Sequence, residues 1–109
     1  MVRRPDDKGA AWTGFDELDK LLEHRSRLGS CVLLSRLKRL SFRRLRELLQ
    51  ETDGNLGAHL RKLEDAGYVY VSKEFVERKP VSWYRLSPEG RKALKKHLDA
   101  LSRLIGDAE

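Results

Sequence analysis

A chain of 109 residues has room for one modest hydrophobic core and no second domain, and its single cysteine, Cys31, allows no disulfide framework within the chain. Lys and Arg number 23 against 17 Asp and Glu, a net charge of +6, which favours a polyanionic partner without identifying it. No apolar run approaches the roughly 20 residues of a membrane span, and residues 1–11 hold Arg3, Arg4, Asp6, Asp7 and Lys8 with no apolar signal-peptide core, so a cytoplasmic protein with no membrane partner is expected.

Residues 1–14 are polar, contain Pro5 and Gly9, and are read as a flexible arm. Over 15–24, Phe15, Leu18, Leu21 and Leu22 recur at helical spacing among Asp16, Glu17, Asp19 and Glu23, which predicts an acidic amphipathic helix whose apolar stripe needs a partner surface. A second helix is predicted over 26–37. Its centre, Cys31-Val32-Leu33-Leu34, is apolar on most sides, as a buried core helix would be, and Gly29 in its first half suits a crossing by another helix. Cys31 in that run is most simply a small core residue.

Next comes a short helix capped by Ser41 and running to Gln50, with Phe42, Leu45, Leu48 and Leu49 turned inward; the segment Leu40-Ser41-Phe42 is available as a third strand. Only Glu51 and Thr52 separate it from the helix over 52–67. That helix has Thr52 as N-cap, Asp53 at the positive end of the dipole, Leu56, Leu60 and Leu63 as its buried stripe, and Gly67 to end it. Gly54, Gly57 and Ala58 leave its other face almost without bulk. That is unfavourable inside a helix unless another backbone must come close, and a DNA major groove is one surface that would reward it. A short helix, a tight turn and a second helix with small residues at its front form a helix-turn-helix pattern. Arg36, Lys38, Arg39, Arg43, Arg44 and Arg46 form a basic run, with no acid among them, that leads into its first helix. A charge run is ordinarily a solvated face; beside this motif it favours nucleic acid, and it puts Arg43, Arg44 and Thr52 among the candidate contacts.

Residues 68–75, rich in aromatic and β-branched side chains, and residues 81–86 read as two strands of an antiparallel hairpin, joined by a polar connector over 76–80 that carries Arg78 and Lys79. A hairpin so placed is what a wing looks like in sequence. Ser87, Pro88 and Glu89 then open a last helix as N-cap, first helical residue and dipole partner. Along it Leu94, Leu98, Leu101 and Ile105 repeat at four, three and four residues, a stripe shorter than three heptads, and a loose tail follows over 106–109. A single small core cannot cover both this stripe and that of Phe15, Leu18 and Leu22. Pairing the two across a two-fold axis would cover them and would make a homodimer.

Three stretches carry a resemblance to a known family: Thr52-Asp53-Gly54-Asn55-Leu56 continuing to His59-Leu60-Arg61-Lys62-Leu63-Glu64, then Ala66-Gly67-Tyr68-Val69, then Phe75-Val76-Glu77-Arg78-Lys79-Pro80 running to Tyr84-Arg85-Leu86-Ser87-Pro88-Glu89-Gly90-Arg91. In order and spacing the chain resembles the winged-helix DNA-binding proteins of the MarR/ArsR type, in particular their small single-domain transcriptional regulators, over roughly residues 15–105. The resemblance implies a mainly α fold with a small β-hairpin (α+β), a winged helix-turn-helix with extra N- and C-terminal helices. It also implies a homodimeric regulator of double-stranded DNA, usually a repressor. Carried over by position, Asn55, Gly57, Ala58, His59 and Lys62 would face DNA and Arg78 and Lys79 would sit on the wing. Asn55 can pair bidentately with adenine, whereas Gly57 and Ala58 offer only close approach or contact with a thymine methyl, so part of the readout is expected through DNA shape.

No catalytic or cofactor chemistry is visible. Cys31 stands alone, His24, His59 and His97 lacks any paired ligand spacing for a metal, and there is no phosphate-binding Gly-rich loop, HExxH or nucleophile elbow. The expectation is a non-enzyme without metal or cofactor, and the sequence names no small-molecule effector. A competing reading is a winged helix used as a protein-interaction module, whose interface would expose an apolar patch where a DNA reader presents cations.

Overall fold

The computed structural model describes residues 14–106. Two 3-10 turns, Gly14–Glu17 and Lys20–Glu23, lead into α1 (Arg25–Arg36), β1 (Leu40–Ser41), α2 (Phe42–Leu49), α3 (Asp53–Asp65), β2 (Val69–Val76), β3 (Lys79–Leu86) and α4 (Pro88–Gly106). The arm expected over 1–14 and the tail over 106–109 lie, but for Gly14 and Gly106, outside the described residues. The architecture is the expected α+β winged helix. Its antiparallel sheet has the order β1-β3-β2, and the short β1 pairs Leu40 with Tyr84 and Ser41 with Trp83, the third strand anticipated above.

The helix ends are set by the residues that the sequence marks for them. Ser41 Oγ accepts the Arg44 N–H at 3.1 Å, Thr52 Oγ1 accepts the Asn55 N–H at 3.2 Å, and Ser87 Oγ accepts the Gly90 N–H at 2.9 Å. Gln50, at φ 56°, closes α2 in the left-handed conformation, and Gly67, at φ 80°, does so after α3, where the Tyr68 N–H returns to the Leu63 carbonyl at 2.8 Å. Leu45, Leu56, Leu60 and Leu63 from the helix-turn-helix meet Cys31 and Leu34 of α1 and Val69 of β2 in one core. A Cβ added at Gly29 would stand 2.7 Å from Leu49 Cδ2, so α2 does cross α1 at the glycine.

Four expectations are corrected. The acidic segment over 15–24 is not one α-helix. Asp19 interrupts it, accepting the Leu21 N–H at 2.9 Å as the cap of the second 3-10 turn while its own N–H goes to His97 Nδ1 at 2.9 Å and its carboxylate takes the Tyr68 hydroxyl. Leu48 is exposed, because it lies about 100° around α2 from the buried Leu49, at the edge of the stripe that faces the core. The connector over 76–80 shrinks to Glu77 and Arg78, with Lys79 and Pro80 already in β3 opposite Val76 and Phe75. Leu22 and Leu94, expected on the surface stripe, are 0% and 5% exposed and belong to the chain's own core, because both terminal segments fold back onto it.

Candidate nucleic-acid interface

The outer face of α3 is built from Gly54, Ala58, Arg61 and Lys62, all exposed, with Asn55 beside them. A Cβ added at Gly54 or Gly57 would meet no atom within 4 Å, so neither glycine makes room for another part of this chain. The bareness of this face faces outward. Gly57 lines one wall of a cleft of about 490 Å³ between α3 and the sheet, with Phe42 at its base, Arg61 and Glu64 on the helix side, and Lys73, Ser82 and Tyr84 on the sheet side. Arg61 and Lys73 are missed by the sequence reading. Arg61 could have been found one turn after Gly57, and Lys73 by its alternation with Val69 and Val71.

Around this face the cations are only loosely tied. Arg43 Nε and Arg44 Nη1 share Glu47, at 3.4 and 3.3 Å, and the Arg43 side chain stays 82% exposed. Arg46 Nε reaches Asp53 at 3.0 Å across the turn between the helices. Such surface pairs contribute about 0–1 kcal/mol and yield readily to a phosphate. Thr52 is exposed, with its hydroxyl oxygen engaged as the cap of α3.

His59 differs from expectation. It is half-buried, its ring centroid 3.9 Å from that of His24, and its Nδ1 accepts from Arg27 Nη1 at 2.9 Å. Burial, followed by the charges of His24 and Arg27, lowers its pKa, and the ring joins α3 to α1 instead of standing free beside Lys62. Nearby, Glu51 accepts the Ser26 hydroxyl, and that hydrogen bond, with smaller help from His59, Thr52 and Asn55, keeps its carboxyl below the ordinary range. The turn before α3 is therefore anchored to α1 on its inner side.

At the wing, Glu77 and Arg78 form the two-residue turn with φ of 52° and 69°. Both angles are positive, as in a type I′ hairpin turn, which Asn and Gly fill with less strain. Arg78 thus sits at the apex, with Lys79 next to it at the start of β3, both exposed. Of the residues assigned to self-association, Leu98 and Ile105 are exposed, the latter at 71%, Phe15 is exposed, and Leu18 and Leu101 are half-buried.

Among the described residues no group of three or more His, Cys, Asp or Glu could hold a metal ion. Burial pushes the Cys31 thiol up to about 12, which leaves it a packing residue. No helix in the described residues is long and apolar enough to cross a membrane.

The winged helix DNA-binding domain family matches residues 27–105. An uncharacterized protein of Methanocaldococcus jannaschii is 31% identical over 90 residues, 83% of this chain and 98% of that protein. Among solved structures, a transcriptional regulator homologue from Pyrococcus horikoshii is similar with a TM-score of 0.81 at 27% identity, covering 89% of this chain and 98% of that one. A MarR family transcriptional regulator from Silicibacter pomeroyi shares the fold at a TM-score of 0.60 and 17% identity, over 95% of this chain and 68% of that one.

Proposed function

The chain belongs to the winged-helix DNA-binding domain family, whose fold is that of DNA-binding transcriptional regulators and not of enzymes, and from that premise we propose that it acts in the cytoplasm as a homodimeric, sequence-specific repressor. In this reading α3 enters the major groove, the wing follows the adjacent minor groove or backbone, and a bound dimer blocks access to the DNA it covers. The observation that carries it is the open space beyond Gly54 and Gly57 on a helix face that also presents the exposed Arg61 and Lys62. Asn55 and Lys62 reach base edges or phosphates, Ala58 and Gly57 permit close approach, Thr52 fixes the start of the helix, and His59 holds its middle against α1. The cations of α2 and the wing neutralise phosphates.

Two copies would place their half-sites about one helical turn, roughly 34 Å, apart. The exposed Leu98 and Ile105, with Leu101, Leu18 and Phe15 beside them, support pairing through α4 and the N-terminal turns. Sedimentation at micromolar concentration is expected to give a species of twice 12.6 kDa, converted to monomer by Leu98→Glu combined with Ile105→Glu. A 12.6 kDa parent species alone would remove the dimer.

For the wing, Arg78→Ala with Lys79→Ala removes at most two phosphate contacts per protomer. The slope of log affinity against log salt should then fall by about 1 to 2 per protomer, with base preference unchanged. Titrations of parent and double variant across a salt series check this; equal slopes would mean that these two cations do not touch DNA. The second reading, a protein-interaction module, draws support from the exposed Phe75 and Val76 at the wing tip. Salt-insensitive retention on a DNA column, or none at all, would favour it over DNA binding.

A further inference from the structure

The wing carries an apolar group that the cations do not account for. Strand alternation puts the cross-strand pairs Val69–Leu86, Val71–Tyr84, Lys73–Ser82 and Phe75–Pro80 on one face of the hairpin. The first pair is buried in the core, and the third lines the cleft opposite Gly57 and Arg61. Phe75 and Pro80 are the next pair outward, about 7 Å further along that same face. Phe75 is 78% exposed there, more than any other large apolar side chain among the described residues. Among the described residues nothing buries it; the turn residues Glu77 and Arg78 follow at the apex, and Lys79 stands with Val76 on the opposite face of the hairpin.

We propose that Phe75, backed by Pro80, is an apolar wedge that enters the DNA minor groove next to each half-site, opens a base step and bends the duplex. The proposal rests on the DNA-binding reading above. The minor groove is about 6 Å wide with phosphates on both rims, so a narrow hairpin end with one apolar face, Arg78 at its apex and Lys79 on the other face matches it in shape, and the two cations outweigh the single carboxylate of Glu77 in the turn. Proline supplies no N–H on that edge and stiffens the strand behind the ring. Inserting the ring removes its apolar surface from water, which offsets the loss of base stacking. Flexible pyrimidine–purine steps unstack most easily, so a TA or CA step is expected under the wing although no side chain there reads its base edges.

The probe is a short duplex recovered from random sequence on immobilised parent protein and labelled at its two ends with donor and acceptor dyes. Parent protein should shorten the end-to-end distance, and Phe75→Leu should retain the bend. Phe75→Ser, which changes an exposed position and should leave the fold intact by circular dichroism, should bind about ten- to a hundred-fold more weakly and leave the duplex straight. Arg78→Ala should weaken binding and its salt dependence but still bend the DNA. A Phe75→Ser complex bent like the parent's overturns the wedge while leaving DNA binding intact. Failure of the parent to retain any duplex overturns both. If Phe75→Ser instead dissociates DNA-free oligomers in sedimentation, the ring is a contact between copies and the wedge is likewise overturned.

Discussion

Gly57→Glu is expected to lower DNA affinity by about 100-fold or more while leaving the protein folded, because the new carboxylate would extend toward the phosphates and fill the space a groove must occupy. A Cβ at Gly57 meets nothing within 4 Å, so no internal clash opposes the substitution. The helix should gain from losing a glycine. Gly57→Ala serves as the control, with a stability gain of about 1 kcal/mol, or roughly 4–8 °C in Tm, and binding close to the parent's. Fluorescence anisotropy on a bound duplex and thermal melting read the two effects separately. Parent-like binding by Gly57→Glu would move the interface away from α3, and a melting point well below the parent's would mean that the position is not open.

Gly90→Ala, the same removal of a glycine from a helix, should act in the opposite direction. Gly90 is buried at the first turn of α4, where an added Cβ would collide with the Tyr68 carbonyl oxygen and stand 2.8 Å from Leu86 Cδ1. That carbonyl cannot simply move aside, since it accepts the Ser87 N–H at 2.9 Å and belongs to the residue leading into β2. Overpacking of about 3 kcal/mol against a propensity gain of about 1 leaves a net loss near 2 kcal/mol, a fall of roughly 8–16 °C in Tm. Chemical and thermal denaturation of parent, Gly57→Ala and Gly90→Ala would check the ordering. A Gly90→Ala chain as stable as the parent would show that α4 can shift off the sheet at little cost.

The two glycines look alike in the sequence, each near the front of an amphipathic helix, and the residues alone read Gly57 as a site of close approach and leave Gly90 unremarked. Much else was legible locally. The leucine spacing of α3, the caps Ser41, Thr52 and Ser87, the left-handed Gly67 and the hairpin all depend on residues close to one another in the chain, so short-range patterns determine them, whereas the third strand at Leu40–Ser41 is offered by local composition and is made by its pairing with Tyr84 and Trp83. The outward, small-residue face of α3 follows from the same periodicity once Leu56, Leu60 and Leu63 turn inward.

Only the tertiary structure decided what lies against each face. An apolar stripe announces that it needs cover but not which surface supplies it, so Leu22 and Leu94, expected at a contact between copies, are taken by the chain's own core. The acidic stretch before α1 has a helical pattern, yet the hydrogen bonds that Asp19 donates to His97 and accepts from Tyr68, 78 and 49 residues away, break it into 3-10 turns. His59 is drawn to His24 and Arg27 on another helix, and Arg61 and Lys73 meet across one cleft only when the sheet packs beside α3. These pairings join positions far apart in the chain. Their strength depends on distances set by the whole packing, which no local periodicity encodes.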